Sequence, residues 1–280
     1  MMQINIFALT AVVFASNSLA APSAQLSFPL AKRTPGDGST YGTWSACTQK
    51  VTAYNSYGCY TNNGPSPTQG GILEYYVPNN MLPASMLTKQ KCYVFCKQLG
   101  TRYAAFLNGK DCWCGSSLNG KKTDSSACSV SCSGDGSSNC GGSTAFSVYQ
   151  DPTLPATFDA TKEATNYQYQ GCFFDDPERI IRFAYPVLDN LNNAGTNTMT
   201  IESCLAGCAA KGYALAGLEY ARTCWCGGNL RPGAAKASTM SCNMLCTGDK
   251  TEGCGGTWAI DVYYNPNLDS SSPCRPTISS

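Results

Sequence analysis

The sequence predicts an α+β fold of two small disulfide-rich modules, each a main helix packed on an antiparallel sheet with long loops. Three observations lead to this prediction: a duplicated cysteine pattern, a helix signal in each copy, and strand-like alternation after it. The copies are regularly spaced, because 112 residues separate Cys92 from Cys204 and 114 separate Cys128 from Cys242. Such self-similarity indicates two separately folded modules. The duplicated cysteines are Cys59, Cys92, Cys96, Cys112, Cys114, Cys128, Cys132 and Cys140 in the first copy, and Cys172, Cys204, Cys208, Cys224, Cys226, Cys242, Cys246 and Cys254 in the second.

Each module opens with Gly-Cys-aromatic, at residues 58–60 and 171–173, and a long, poorly patterned loop follows. A helix comes next, which we expect to run from Thr88 to Gly100 in the first copy and from Thr200 to Gly212 in the second. Threonine is a good N-cap and glycine a good C-cap, so these residues define the predicted ends. Each helix carries two cysteines at i and i+4, which places them on one face about 5–6 Å apart.

The strand after each helix carries Cys-Trp-Cys-Gly, at residues 112–115 and 224–227. Alternation puts the two cysteines on one side, roughly 6.6 Å apart, and the tryptophan on the other. Because the helical and the strand cysteine pairs match in separation, we expect two disulfides to clamp the helix onto the sheet. The other four cysteines of each module would form two further bridges of undetermined pairing. We expect Trp113 and Trp225 to be structural rather than ligand-stacking, since a large side chain in mid-strand usually packs.

A last strand follows the shared Cys-Gly-Gly, at residues 145–149 and 259–263. It alternates apolar with polar residues, which is typical of a half-buried strand. The predicted organisation of the chain is therefore a signal peptide (1–20), a processed or irregular segment (21–52), module 1 (53–150), a linker (151–165), module 2 (166–264) and a polar tail (265–280).

The first twenty residues are typical of a secretory signal, with an apolar run over residues 6–15 and Ser-Leu-Ala at 18–20. The run is too short to span a bilayer, so we expect no transmembrane anchor. The Lys32-Arg33 pair is either a second processing point or two ordinary surface charges. Secretion agrees with the cysteine content, because an oxidising compartment permits disulfides.

These residues together resemble the WSC domain, a module associated with fungal cell walls. The resemblance rests on Gly-Cys-Tyr/Phe, the helical Cys-x3-Cys, Cys-Trp-Cys-Gly, Cys-x3-Cys-(Ser/Thr)-Gly-Asp and Cys-Gly-Gly, all present twice in the same order. It implies a PAN/apple-like fold, a cell-wall location and binding of wall polysaccharide such as β-1,3-glucan or xylan. Membrane sensors of the family carry a Ser/Thr-rich stalk, a transmembrane helix and a cytoplasmic tail. We find none of these in the sequence and expect no direct signalling role.

Catalytic and metal chemistry find little support in the sequence. The chain has no histidine, which removes the commonest general base and metal ligand. We expect no metal and no cofactor, because Cys-x-Cys and Cys-x3-Cys in a secreted protein favour disulfides. The acid that recurs in both copies is Asp135, matched by Asp249, in a turn where aspartate commonly bonds nearby amides. We therefore expect no enzyme. A formal charge of +1 without a dense basic run makes nucleic acid an unexpected partner.

Carbohydrate binding fits the composition better. The chain has 16 Tyr and 4 Trp, and aromatic rings with a polar tip suit sugars at a partly wet surface. Trp258 and Tyr220 replace Thr144 and Asn108 of the first copy, so the fold does not require an aromatic ring there. The candidate carbohydrate-binding residues are Trp258, Tyr220, Tyr60, Phe173, Tyr75, Tyr76, Tyr185 and Asn108.

Two features bear on how the modules act together. Cys47 and Cys274 bracket the repeats, and we expect them to pair and tie the chain ends together, with intermolecular bonding as the alternative. The short linker contains Pro152 and Pro155, so two modules on one chain would bind one polymer bivalently or cross-link two strands. The sequence thus predicts a secreted, non-catalytic protein that binds cell-wall polysaccharide. The alternatives are a structural wall protein that mediates protein contacts and an effector that shields wall glucan.

Overall fold

The computed structural model of the protein describes residues 51–62, 71–176, 180–181, 197–230, 234–272 and 274. The predicted signal peptide, the Lys32-Arg33 pair, Cys47 and Tyr185 lie outside this part of the chain. None of the helices within it combines the length and the hydropathy that a bilayer crossing requires.

Module 1 is a six-stranded antiparallel sheet with one main helix. The helix begins after Thr88, whose hydroxyl accepts a hydrogen bond from Lys91 N, and ends at Gly100 with φ 67°, as predicted. The strands follow the order β2-β4-β3-β8-β1-β5, and β6 and β7 form a separate pair. The elements are β1 (Asn55–Asn62), β2 (Tyr75–Tyr76), α1 (Lys89–Leu99), β3 (Tyr103–Leu107), β4 (Asp111–Gly115), β5 (Gly120–Thr123), β6 (Ser131–Cys132), β7 (Asp135–Asn139) and β8 (Ala145–Gln150).

Module 2 repeats this arrangement with a four-stranded sheet in the order β11-β10-β12-β9. Its main helix begins after Thr200 with a capping box and ends at Ala210, with Lys211 as the C-cap. Gly212 follows with φ 71°, so the helix ends one residue earlier than the predicted glycine cap implies. The elements are α2 (Ala160–Ala164), β9 (Gln168–Phe174), α3 (Ile201–Ala210), β10 (Leu215–Glu219), β11 (Thr223–Gly227) and β12 (Ala259–Tyr264). The α+β prediction is confirmed.

Disulfides join the helix to the sheet in each module, as expected, and both modules use the same pairing. Of the two bridges that the sequence left undetermined, one connects the first strand of the module to a later loop and the other closes a short hairpin. Cys274 is also disulfide-bonded, whereas its expected partner Cys47 lies outside the described residues. The bridges are Cys92–Cys112, Cys96–Cys114, Cys59–Cys128 and Cys132–Cys140 in module 1, and Cys204–Cys224, Cys208–Cys226, Cys172–Cys242 and Cys246–Cys254 in module 2.

Both tryptophans of the Cys-Trp-Cys strands pack on the sheet face away from the helix. Trp113 is 4% exposed and lies in a cluster with Phe146 and Val148. Trp225 is half-buried against the equivalent cluster of module 2, and its Nε1 donates to Glu219 at 3.1 Å. These contacts support the expected structural role.

The last strand of each module is central and buried, not half-buried as predicted. Its polar residues Ser147 and Asp261 are 7% and 4% exposed. Each accepts a hydrogen bond from the first glycine of Cys-Gly-Gly, with Gly141 N at 3.0 Å from Ser147 Oγ and Gly255 N at 2.8 Å from Asp261 Oδ2. The polar residues of the alternating pattern therefore lie in the interior and accept hydrogen bonds from buried amides. They do not mark a face of the strand that is open to water.

The two modules pack directly against each other while their cores stay separate. Gly100 and Gly228 approach so closely that a Cβ on Gly228 would overlap the carbonyl oxygen of Gly100. Asn229 Nδ2 donates to Gln98 O at 2.7 Å beside this contact. Each described hydrophobic cluster draws on one module, with added residues from the linker and the tail: Phe158 and Leu268 join module 2, and Cys274 joins module 1.

The similarity between the copies continues past the predicted module ends at residues 150 and 264. Asp151 and Asn265 are both buried. Each side chain accepts a hydrogen bond at 2.9 Å from the amide two residues on, Thr153 N or Asn267 N. The tail then returns to module 1, where Ser271 N donates to Thr153 O at 2.8 Å. The linker and the tail as far as Ser271 are thus packed parts of the structure.

Stability is expected to fall as the pH rises through the titration of Glu74, a carboxyl buried between the modules. Ser117 N donates to its Oε1 at 2.9 Å, and Tyr213 and Lys211 face it from module 2. Burial raises the pKa of Glu74 from 4.5 to about 6, because hydrogen bonds and Lys211 offset only part of the desolvation. The folded state therefore binds this proton more tightly than the unfolded state, and the resulting stability of about 2 kcal/mol is present below pH 4.5 and lost above pH 6.

Urea denaturation of the wild type and Glu74→Gln across pH 4 to 7 tests this expectation. The two proteins should agree near pH 4, where Glu74 is protonated, and the variant should be the more stable at pH 7. A wild-type advantage at pH 7 would show instead that the carboxylate is well satisfied in the junction.

Candidate functional site

Three aromatic residues lie at one end of the module 2 sheet. Phe174 ends β9, Tyr220 lies in the turn after β10, and Trp258 precedes β12; we call these residues the module-2 patch. Antiparallel pairing brings them together, because Phe174 pairs with Ala259 and Asp175 N donates to Trp258 O at 3.0 Å. The rings of Tyr220 and Trp258 are 6.2 Å apart at 74°. Phe174 is 54% and Trp258 43% exposed, so the patch offers ring surface to solvent.

The backbone of the patch is strained. Among the described residues, the non-glycine positions with positive φ are Asn108, Tyr220, Ala221 and Trp258. Module 1 makes the turn after β3 with Asn108 and Gly109, the pair that such a turn prefers, whereas module 2 uses Tyr220 and Ala221. A non-glycine residue held in this conformation costs of order 1–3 kcal/mol, and such strain clusters at functional sites.

Module 1 has polar residues at the equivalent positions of the patch. Thr61, Asn108 and Thr144 stand where module 2 has Phe174, Tyr220 and Trp258, as the 112- to 114-residue spacing shows. Asn108 and Thr144 are exposed. The fold therefore forms without aromatic rings at this end of the sheet. A ligand at the predicted Asn108 position would meet an amide side chain and no ring.

The exposed surface beside the patch is also apolar in module 2 and polar in module 1. Met240 and Leu245 are 81% and 51% exposed, whereas module 1 has Ser126 and Ser131 there. Met244 N of this loop donates to Gly255 O at 2.9 Å, which connects the loop to the segment leading to Trp258. Module 2 thus has a more apolar surface than module 1 in this region.

The structure brings Tyr220 and Trp258 together, whereas the other described candidate carbohydrate-binding residues lie away from this pair. Phe173 has no exposed surface, so its proposed stacking role was wrong: the ring faces the core beneath β9 and cannot reach a ligand. Tyr60, Tyr75 and Tyr76 are half-buried in module 1. The Tyr76 hydroxyl donates to Asp111 at 3.3 Å and its ring lies 5.0 Å from that of Trp113, which indicates a packing role. Sequence reasoning missed Phe174, although it differs from Thr61 just as Trp258 differs from Thr144.

The carboxylates around the patch hold the local structure. Glu219 accepts from Trp225 Nε1, Asp175 accepts from Ile180 N at 2.9 Å, and Asp261 accepts from the Tyr169 hydroxyl at 2.7 Å. Burial raises the pKa of Asp261. All three are buried, and each supports a strand end that positions a ring of the patch.

The duplicated aspartates act as turn residues, as expected. Asp135 accepts from the amide and hydroxyl of Ser137, and Asp249 accepts from the amide and hydroxyl of Thr251. These hydrogen bonds lower the pKa of both carboxyls.

Three groups of side chains within the described residues are close enough to share a metal ion: Cys92 with Cys96 and Cys112, Cys204 with Cys208 and Cys224, and Cys172 with Cys242 and Asp261. Every sulfur in these groups belongs to a disulfide. A metal-binding cysteine must be a thiolate, so the groups do not fit a metal in this oxidised state.

Comparison with known proteins gives two matches to the WSC domain, at residues 56–142 and 169–256. A WSC domain-containing protein of Arthroderma benhamiae is 32% identical over 75% of this chain, which spans about a quarter (24%) of that protein. A Chaetomium globosum protein named "Putative fungistatic metabolite" is 30% identical over 75% of the chain and 92% of its own length. The xylosyltransferase oxt of Drosophila pseudoobscura is 36% identical over 37% of the chain and 12% of its own length.

Proposed function

The chain belongs to the WSC domain family, and from that premise we propose that it binds cell-wall polysaccharide without modifying it, through the module-2 patch. The observation that carries this proposal is the presence of Phe174, Tyr220 and Trp258 at one end of the sheet, at positions where module 1 has small polar residues. Neutral β-linked chains such as β-1,3-glucan or xylan are the proposed ligands, in a secreted protein at the cell wall. The PAN/apple-like class of the fold stays a prediction.

Aromatic rings suit such a ligand for a physical reason. A pyranose presents an apolar ring face that stacks on an aromatic face, and tyrosine and tryptophan add a donor for its hydroxyls. The rings of the patch come from loops and strand ends on a scaffold stapled by four disulfides, which is where binding residues commonly lie. A rigid platform also loses little conformational entropy on binding.

We assign this binding to module 2. The equivalent end of module 1 offers Thr61, Asn108 and Thr144, which provide no ring for stacking. The packed junction fixes the modules relative to each other, so cross-linking of two strands would need a different surface on module 1.

Retention on insoluble β-1,3-glucan, xylan and chitin tests the proposal. We expect the protein to sediment with at least one polymer, and Trp258→Ala and Tyr220→Ala each to weaken its affinity about tenfold. Met86→Gln, at an exposed apolar side chain of module 1, is the control and should bind as the wild type does. Retention on none of the polymers would favour the protein-contact alternative, and release of soluble sugar over time would indicate an enzyme. Competition with a second glucan-binding protein would measure shielding.

A further inference from the structure

Module 1 has an aromatic surface of its own, formed by Tyr57, Tyr60 and Tyr103, which we call the tyrosine triad. The rings of Tyr57 and Tyr60 are 5.9 Å apart and within 14° of parallel, and those of Tyr57 and Tyr103 are 5.1 Å apart at 52°. Tyr60 and Tyr103 pack against the Trp113 cluster, on the sheet face away from α1. Tyr57 is 40% exposed, so the triad is partly open to solvent.

The triad is specific to module 1. A register shift in β1 leaves Tyr57 as a β-bulge, and the same shift in β9 leaves Gln170 in the equivalent place. A bulge re-aims its side chain, and bulges are common beside binding sites. Module 2 has Phe173 and Leu215 at the other two positions, both without exposed surface. The fold therefore does not require tyrosine at these positions. Module 1 has exposed aromatic residues here and module 2 has none, whereas the reverse holds at the module-2 patch.

Positive charge lies next to the triad. Lys122 pairs with Tyr60 across β1 and β5. Its Cε and the Tyr60 Cε2 would each lie 3.3 Å from a Cβ on Gly58, so the lysine stem runs over the glycine beside the ring. Arg102 precedes Tyr103 and its charge acts on both Tyr103 and Tyr57. Burial and hydrogen bonding with Tyr57 raise the pKa of Tyr103 to about 12 against this charge, which keeps the hydroxyl protonated and able to donate.

We propose that the tyrosine triad is a second glycan site, which binds a polysaccharide that carries carboxylate groups. Tyr57 and Tyr60 stack on sugar rings, the hydroxyls donate to sugar oxygens, and the ammonium of Lys122 attracts the carboxylate of a uronic acid residue. The acids near the module-2 patch, Asp175, Glu219 and Asp261, are buried and engaged in hydrogen bonds, whereas Lys122 lies beside the rings of the triad. The two sites would thus take different polymers, and one chain would connect an acidic to a neutral polysaccharide.

Affinity for polygalacturonate and for its methyl ester tests the proposal, because the two polymers share their sugar rings and differ in charge. We expect the full-length protein to prefer the free acid, and the preference to shrink as salt screens the charges. Lys122→Gln should remove the preference, and Tyr57→Gln should weaken binding of the acid about tenfold.

Two control variants and one folding check show whether the preference for the acid arises at the triad. Lys110→Gln removes an exposed lysine from the opposite end of β3 and should leave the preference intact. Trp258→Gly should not change the affinity for the acidic polymer, so the two proposed sites are tested independently. Tyr57→Gln introduces the residue that module 2 carries at the same bulge, and an unchanged melting temperature would show that it folds. Equal affinity for the acid and its ester, or wild-type affinity of Tyr57→Gln, would overturn the proposal.

Discussion

Replacing Lys97 by methionine is expected to destabilise the folded protein by roughly 3–5 kcal/mol. The ammonium of Lys97 lies 2.7 Å from the Asp151 carboxylate, and the two side chains are 4% and 2% exposed. Lys97 also donates to Ser270 Oγ at 2.6 Å and to the Thr153 hydroxyl, so it connects α1, the linker and the tail. Methionine keeps the apolar stem but leaves a buried carboxylate without its cation. The loss is measured as the change in the free energy of unfolding in urea.

Module 2 supplies the matched control for this experiment. It has Ala209 and Asn265 at the positions of Lys97 and Asp151, so the fold accepts a neutral pair there. Asparagine at residue 151 keeps the oxygen that accepts from Thr153 N, as Asn265 does for Asn267 N. The double variant Lys97→Met/Asp151→Asn should therefore recover most of the stability that either single variant loses. Additive losses would show that packing of the lysine stem, and not the ion pair, is what matters.

The sequence predicted the parts of the fold that local chemistry determines. Thr88 and Gly100 mark the two ends of α1, because a hydroxyl cap and a left-handed glycine each form hydrogen bonds with residues close by in the sequence. The bridges from helix to strand could be expected for the same reason, since i,i+4 spacing and alternation fix the direction of each sulfur. Cys59–Cys128 and Cys132–Cys140 could not, because eight cysteines allow 105 arrangements and spacing does not choose among them.

The packing of the modules against each other depends on contacts between distant residues, and no local pattern in the sequence indicates it. Gly100 ends α1, and it also packs closely against Gly228 of the other module. The sequence explains the first role and gives no sign of the second. Phe173 was misassigned since its place after a cysteine does not say which face of the strand is covered. The comparison of the two copies found Tyr220 and Trp258 correctly as exchangeable positions. It would also have found Phe174 if exposure at the strand end had been known.

Removing the module-2 patch is expected to abolish retention on neutral wall polysaccharide without lowering the stability of the protein. The triple variant Phe174→Thr/Tyr220→Asn/Trp258→Gly gives two of the positions the residues of module 1 and gives the third a glycine. We expect affinity to fall on the order of 100-fold or more, because rings at the centre of a binding surface contribute most of its energy. Sedimentation with the polymer measures the loss, and Met86→Gln is again the control.

Stability should change in the opposite direction to binding. Asparagine and glycine tolerate the positive φ that Tyr220 and Trp258 adopt, so the variant releases roughly 1 kcal/mol or more of backbone strain at each position. After the lost ring contacts are subtracted, the melting temperature should be unchanged or higher by roughly 2–4 °C. Trp258→Phe separates the two effects, since it keeps both the ring and the strain and should retain intermediate affinity. If Trp258→Phe bound no better than Trp258→Gly, stacking on the ring face would not be the source of affinity.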